Sequence, residues 1–252
     1  SHYKNSPNDL QLMSDAPAHK LFVLLPPMDT ATGASSGLPE ILAVVQVALE
    51  GSLSRQVILN SFARGKREAG DLIPWTVSQQ FQEDEFASLS GARIVRIAVH
   101  PEMQGMGYGS RALQLLERFY RGELISPNPE DLEDDPEDIQ QRDITPATNT
   151  SDLMNEVIKP RAQLKPLLTK LSDLRPPRLD WIGVSFGLTG SLFKFYRRLQ
   201  YLPVYLRQTT NDITGEHSTI MLKSLVNESS WLNEFNEDFK RRFVAVGSDH
   251  VR

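Results

Sequence analysis

The chain has 252 residues, 40% of them hydrophobic and 23% charged, with a net charge of -5 and no cysteine. That length buries one good core with room for a small appendage, and the missing cysteines exclude a disulfide framework, a thiolate nucleophile and a cysteine-held zinc site. No run of about 18 apolar residues occurs, and Ser1-His2-Tyr3-Lys4 lacks the basic-then-apolar pattern of a signal peptide, so a soluble intracellular protein with no membrane partner is expected.

In chain order, β-rich apolar runs bounded by Gly, Pro, Asn or Asp occur at Leu21 to Leu25, Ile41 to Leu49 and Ala92 to His100. A helix is expected over Ser110 to Arg121, where Leu113, Leu116 and Tyr120 recur at three and four residues. Ser126 to Ser151 carries prolines, little apolar periodicity and seven acids between Glu130 and Asp138, and reads as a flexible acidic insertion. With those seven set aside the net charge of -5 becomes +2. Arg64-Gly65-Lys66-Arg67, Lys159-Pro160-Arg161 with Lys165, Arg197-Arg198 and Lys240-Arg241-Arg242 are then candidate phosphate contacts.

Further strands are expected at Leu179 to Phe186, Pro203 to Arg207 and Thr219 to Leu225, with a helix over Ser191 to Leu199. At the far end Trp231, Phe235 and Phe239 stand four apart, which predicts an amphipathic helix packing on this domain or on a neighbour. Strands alternating with helices predict an α/β (α+β) domain with a mixed sheet, spanning 1–226, followed at 227–252 by a helix leading to a further region.

Chemistry concentrates at Val99-His100-Pro101 and the glycine-rich turn Gln104-Gly105-Met106-Gly107-Tyr108-Gly109-Ser110, which joins a strand to a helix. The first amides of a helix have no intrahelical partner, and the helix dipole adds partial positive charge, so a pyrophosphate fits there. Glycines let it approach the backbone. The turn is neither a Walker A loop, since no Lys-Ser or Lys-Thr follows Gly109, nor a dinucleotide fingerprint.

The order Gln-x-x-Gly-x-Gly at Gln104, Gly107 and Gly109, directly after an apolar strand, resembles the coenzyme A motif of the GCN5-related N-acetyltransferase superfamily. Longer strings narrow the resemblance: His2 to Leu10, Gly70 to Trp75, Arg93 to Pro101, Val204 to Thr209 and Thr214 to Ser218 are similar to those of the RNA cytidine acetyltransferases, particularly the eukaryotic nucleolar branch. The similarity runs from His2 to about Leu225, and the acidic insertion is its main departure.

The resemblance implies a GCN5-related N-acetyltransferase fold, a splayed pair of strands and acetyl-CoA as cofactor. It places the pantetheine arm on the backbone of Ile97, Ala98 and Val99, the pyrophosphate at Gln104, Gly105, Met106, Gly107, Tyr108, Gly109 and Ser110, and a coenzyme A phosphate on Arg198. In the helix Phe193 to Tyr201 it gives Tyr196 the role of protonating the leaving thiolate, although members of the family often carry Trp there and aromatic packing explains Tyr196 equally well. The Gly-Phe that usually follows this helix is replaced by Gln200-Tyr201. His2, and less strongly His217 and His100, are candidates for moving the proton of the acceptor amine.

By the same resemblance the activity is N4-acetylation of cytidine in small-subunit ribosomal RNA and some tRNAs, with ATP used by a helicase-like module absent from this chain. A tRNA adaptor protein, guide small nucleolar RNAs, a nucleolar location and a homodimer go with it. No metal is called for. Two other readings stand beside this one: acetylation of a protein or small-molecule amine, and a coenzyme A-binding scaffold in ribosome assembly.

Overall fold

The computed structural model describes residues 18–27, 40–54, 56–58, 60, 70–82, 85–125, 168–211, 215–226 and 230–249. His2, the basic clusters at 64–67 and 159–165 and the acidic stretch at 126–151 lie outside the described residues. The chain divides into two compact units, Ser1–Glu117 with Arg178–Arg252, and Arg118–Pro177.

The first unit holds one mixed sheet of six strands: β1 (His19–Leu24), β2 (Ala43–Gly51), β3 (Ser90–Val99), β4 (Trp181–Gly187), β5 (Leu202–Leu206) and β6 (Ser218–Ser224). Their order is β1-β2-β3-β4-β6-β5, and every pairing is antiparallel except that of β3 with β4. Each strand overlaps a run that alternation and Gly or Pro borders single out. The helices are α1 (Leu72–Phe81), α2 (Tyr108–Tyr120), α3 (Gly190–Arg198) and α4 (Ser230–Asp249).

Periodicity does not announce α1. Ile73, Pro74, Trp75, Val77 and Ser78 are buried, and so crowded a set gives no apolar stripe. Pro74 falls in the first turn, where a missing N–H loses no intrahelical bond. The start of α1 is held from the sheet: buried Glu50 accepts the Ile73 N–H at 2.9 Å and also pairs with Arg93, while Asp71 accepts the Gly51 N–H at 2.7 Å.

Successive side chains of β4 point to opposite faces of the sheet. On one face Trp181 stacks 5.5 Å from Phe86, and a Cβ on Gly183 would meet Ile73 Cδ1 at 2.7 Å. This face carries the core of Ile73, Val77, Trp181, Val204, Leu222 and Phe235. On the other face Phe186 lies 5.0 Å from Tyr196 of α3, and Lys223 of β6 pairs at 2.6 Å with Glu117 of α2. Thus α1 and α4 cover one face, and α2 and α3 the other.

The amphipathic helix expected at the end of the chain packs on this same domain. Leu232 and Phe235 enter the core, Phe235 stacks on Phe81 at 4.3 Å, and Asn236 donates to Pro203 C=O of β5 at 2.8 Å. In the second unit the end of α2 closes on Gly122 at φ 75°, whose N–H reaches Phe119 C=O at 2.8 Å. Among the described residues no helix is long and apolar enough to cross a membrane, and no three His, Asp or Glu are grouped to hold a metal ion.

Candidate functional site: a splayed strand pair, a helix cradle and an opposing cleft

The parallel ladder of β3 on β4 runs only from Gly91 opposite Trp181 to Ile94 opposite Val184. Beyond it β3 continues to Val99 against β2, and β4 continues to Gly187 against β6. A β-bulge marks the split. Gln46 faces Arg96 and Val47 faces Ile94, so Val95 is the extra residue, and a bulge bends and twists the strand that carries it. The backbone of Ile97, Ala98 and Val99 therefore has no β4 partner on the side that faced it.

From the end of β3 the chain turns through a 3₁₀ turn at Pro101–Met103 and an exposed Gln104 into the glycines. Gly105 and Gly107 adopt left-handed φ of 80° and 90°, with open space where a Cβ would stand. Met106 between them is 66% exposed. The first bond of α2 is Arg111 N–H to Gly107 C=O at 2.9 Å. The N–H groups of Tyr108, Gly109 and Ser110 thus find no acceptor among the described residues, and the helix start is a cradle of donors of the kind that suits an anion.

Gly109 meets a different need. A Cβ there would come 3.3 Å from Val99 Cγ2, 3.7 Å from Phe195 Cζ and 3.8 Å from Ile97 Cδ1, so its bareness presses the helix start against β3 and α3. Arg198 stands one turn beyond Phe195 on the same side of α3, is exposed, and has no recorded partner among the described residues. An arginine fork so placed suits a phosphate beside the cradle.

Tyr196 is 2% exposed, with the rings of Phe186, Phe195 and Tyr201 5.0 to 5.5 Å away. Burial pushes its phenol well above the ordinary range, and burial followed by the neighbouring Tyr196 and Glu117 does the same to Tyr201. Tyr196 therefore holds its proton at neutral pH.

On the opposite face, at the end of β4, lies a cleft of about 700 Å³. Leu188, the end of β5, Arg207 to Thr209 and His217 form one side, and Phe239, Arg242 and Phe243 of α4 the other. His217 Nδ1 is 2.9 Å from the Arg207 carbonyl, which can only accept, so Nδ1 is the donor and the neutral imidazole would present Nε2 as its acceptor. The Leu188 N–H donates to the His217 carbonyl at 2.7 Å, tying that side to the end of β4. His100 sits elsewhere, 3.4 Å from Glu40.

The structure thus brings Ile97, Ala98, Val99 and Gln104 to Ser110 to one helix start, with Arg198 one turn beyond Phe195 on the helix that packs against it. It puts His217 at a cleft on the other face, with the separated ends of β3 and β4 between them. Sequence reasoning missed the Val95 bulge, for which no residue type gives a signal. It also missed the α4 wall of the cleft, visible only as an apolar stripe beside a basic cluster.

A family model described as GNAT acetyltransferase 2 matches residues 1–226. A curated RNA cytidine acetyltransferase of Homo sapiens is 57% identical over 251 residues, which cover 98% of this chain and 24% of that protein. Its counterpart in Saccharomyces cerevisiae is 53% identical over 248 residues, covering 98% and 23%. One from Achlya ambisexualis is 51% identical over 253 residues, covering 98% and 67%. The chain therefore spans about a quarter of the length of the human and yeast relatives it matches.

Proposed function

Because the chain belongs to the RNA cytidine acetyltransferase family and carries its GNAT acetyltransferase 2 domain, we propose that it transfers the acetyl group of acetyl-CoA to the exocyclic amine of cytidine in RNA. The observation that carries this reading is the split of β3 from β4 beside a helix start with unpartnered amides. The cradle fits a pyrophosphate: the N–H groups of Tyr108, Gly109 and Ser110 face it, Gly105 and Gly107 leave it room, and Arg198, with no recorded partner among the described residues, suits a further phosphate. The backbone of Ile97, Ala98 and Val99 suits an amide-bearing pantetheine arm.

Acetyl-CoA supplies an acetyl group activated as a thioester. The cytosine amine is a poor nucleophile because its lone pair is delocalised into the ring, so this chain contributes orientation and proton handling. A backbone N–H near Val99 is the donor for developing oxyanion charge. His217 Nε2 takes the amine proton from the cleft side, and Tyr196, neutral in its aromatic nest, holds the proton a leaving thiolate requires. Among the described residues that line the cleft are the cations Arg207 and Arg242 and no Asp or Glu, which favours a phosphate-bearing acceptor over a lysine or polyamine.

Acetyl-CoA is expected to raise the melting temperature of the chain, since a ligand at a hundredfold excess over Kd adds about 2.7 kcal/mol. Gly107→Asp, which puts a carboxylate into the open cradle, should fold yet lose that shift, and Arg198→Ala should reduce it. Undiminished shifts in both variants would place the cofactor elsewhere. Labelled acetyl-CoA offered with cytidine-containing RNA and with lysine peptides identifies the acceptor, and transfer to the peptide alone would overturn the RNA reading.

The proposal extends to small-subunit ribosomal RNA and some tRNAs as substrates, ATP use by a module outside this chain, a tRNA adaptor protein, guide small nucleolar RNAs, a homodimer and a nucleolar location. Its support is the similarity of the strings between His2 and Leu225 to those of the nucleolar branch. Loss of N4-acetylcytidine from ribosomal RNA and tRNA after deletion of the gene is the expected result.

A further inference from the structure

The acceptor cleft is walled by α4, which begins at Ser230, beyond the 1–226 span that the family model covers. Three features of that wall belong together. Phe239 and Phe243 stack with centroids 5.9 Å apart and ring planes 24° from parallel. Phe243 is 54% exposed although it lines the cleft, so the stack ends in an open ring face. Arg242 is fixed across the gap to α1: its guanidinium lies 5.3 Å from the Phe81 ring centroid and donates to Gln80 C=O at 3.3 Å, and Asp238 pairs with it at 2.6 Å.

The facing side supplies charge. Arg207 is exposed, and its side chain has only the Thr209 hydroxyl, 2.9 Å from Nε, as recorded partner among the described residues. With Arg242 largely satisfied by Asp238, Arg207 is the cation among the described lining residues that is able to take a new anion. An open aromatic face opposite an available arginine matches an unstacked base followed by its phosphate. An amine-bearing peptide would instead meet two arginines and no carboxylate among the described residues that line the cleft.

We propose that α4 is part of the RNA site: Phe243, backed by Phe239, stacks an unpaired base of single-stranded RNA at the mouth of the cleft, and Arg207 holds an adjoining phosphate. This rests on the reading of the cleft as the acceptor side. It adds that the helix beyond the family match selects single strands over duplexes, because a base inside a helix cannot reach an isolated ring face.

The test is binding of a fluorescein-labelled single-stranded oligocytidylate to the whole chain, followed by anisotropy without acetyl-CoA at several salt concentrations. Phe243→Ala should weaken binding about tenfold with the salt slope unchanged, whereas Phe243→Trp should retain it. Arg207→Gln should weaken binding and lower the salt slope by about one. Both side chains are exposed, and unchanged circular dichroism and melting temperature identify folded variants.

Equal affinity of wild type and Phe243→Ala, wild-type binding of duplex as tight as of single strand, or displacement of the RNA by a lysine peptide would each overturn the proposal. Binding that depends on Phe243 in a protein that transfers no acetyl group to RNA would sustain it and sink the acetyl-acceptor reading instead.

Discussion

Tyr196 and Tyr201 show how far one residue's surroundings reset its chemistry. A phenol enclosed by Phe186, Phe195 and a second phenol loses the hydration that stabilises its anion, so both tyrosines ionise above their ordinary range. Folding favours the neutral form, so their contribution to stability is fully present below the unfolded value near 10 and is lost as pH rises through the raised folded values. An alkaline titration followed by phenolate absorbance should therefore find Tyr196 and Tyr201 still un-ionised above the ordinary tyrosine range until the chain unfolds, while the six tyrosines of the unfolded chain all ionise. Full titration of all six while the circular dichroism stays native would mean that the aromatic nest is open. The glycines make a related point. Gly105, Gly107 and Gly109 look equivalent as letters, but the first two serve a left-handed backbone in open space and the third serves contact with Val99 and Phe195.

The end of α3 shows an element compensating for an unfavourable residue. Its N-terminus is capped by Thr189, which accepts the Leu192 N–H. At the other end Gln200 takes φ 69°, the left-handed turn that glycine usually fills, and Tyr201 N–H reaches back to Tyr196 C=O at 3.1 Å. A non-glycine residue in that conformation costs about 1 kcal/mol, which burial of Tyr201 at 2% exposure offsets. Gln200→Gly should accordingly raise stability by about 0.5 to 1 kcal/mol in urea unfolding, with cofactor binding unchanged. A destabilised Gln200→Gly protein would mean that the glutamine side chain makes a contact worth more than the strain. Register within β3 was likewise invisible beforehand: alternation finds the strand, but the bulge at Val95 depends on where β2 pairs.

At the scale of the molecule, α4 completes the core of the sheet. Leu232 and Phe235 are 7% and 8% exposed, packed with Phe86 and Trp181, and losing a buried aromatic alone costs about 3 to 5 kcal/mol. A chain ending at residue 226, the limit of the family match, should melt far lower than the whole chain or aggregate. Wild-type stability in that truncation would show that α4 is an appendage. The sequence by itself determined the strand runs, the helices α2, α3 and α4, the glycine cradle and the family strings, because periodicity, caps and turn glycines are properties of neighbouring residues. Only the tertiary structure decided the rest. The path of α1 was hidden because a helix buried on several sides carries no stripe, and the parting of β3 from β4 depends on a bulge set by pairing. The cleft joins His217 and Arg207 to Phe239 and Phe243 from a helix that follows them in the chain. Residues far apart in sequence become one site only when the sheet fixes the faces on which their elements lie.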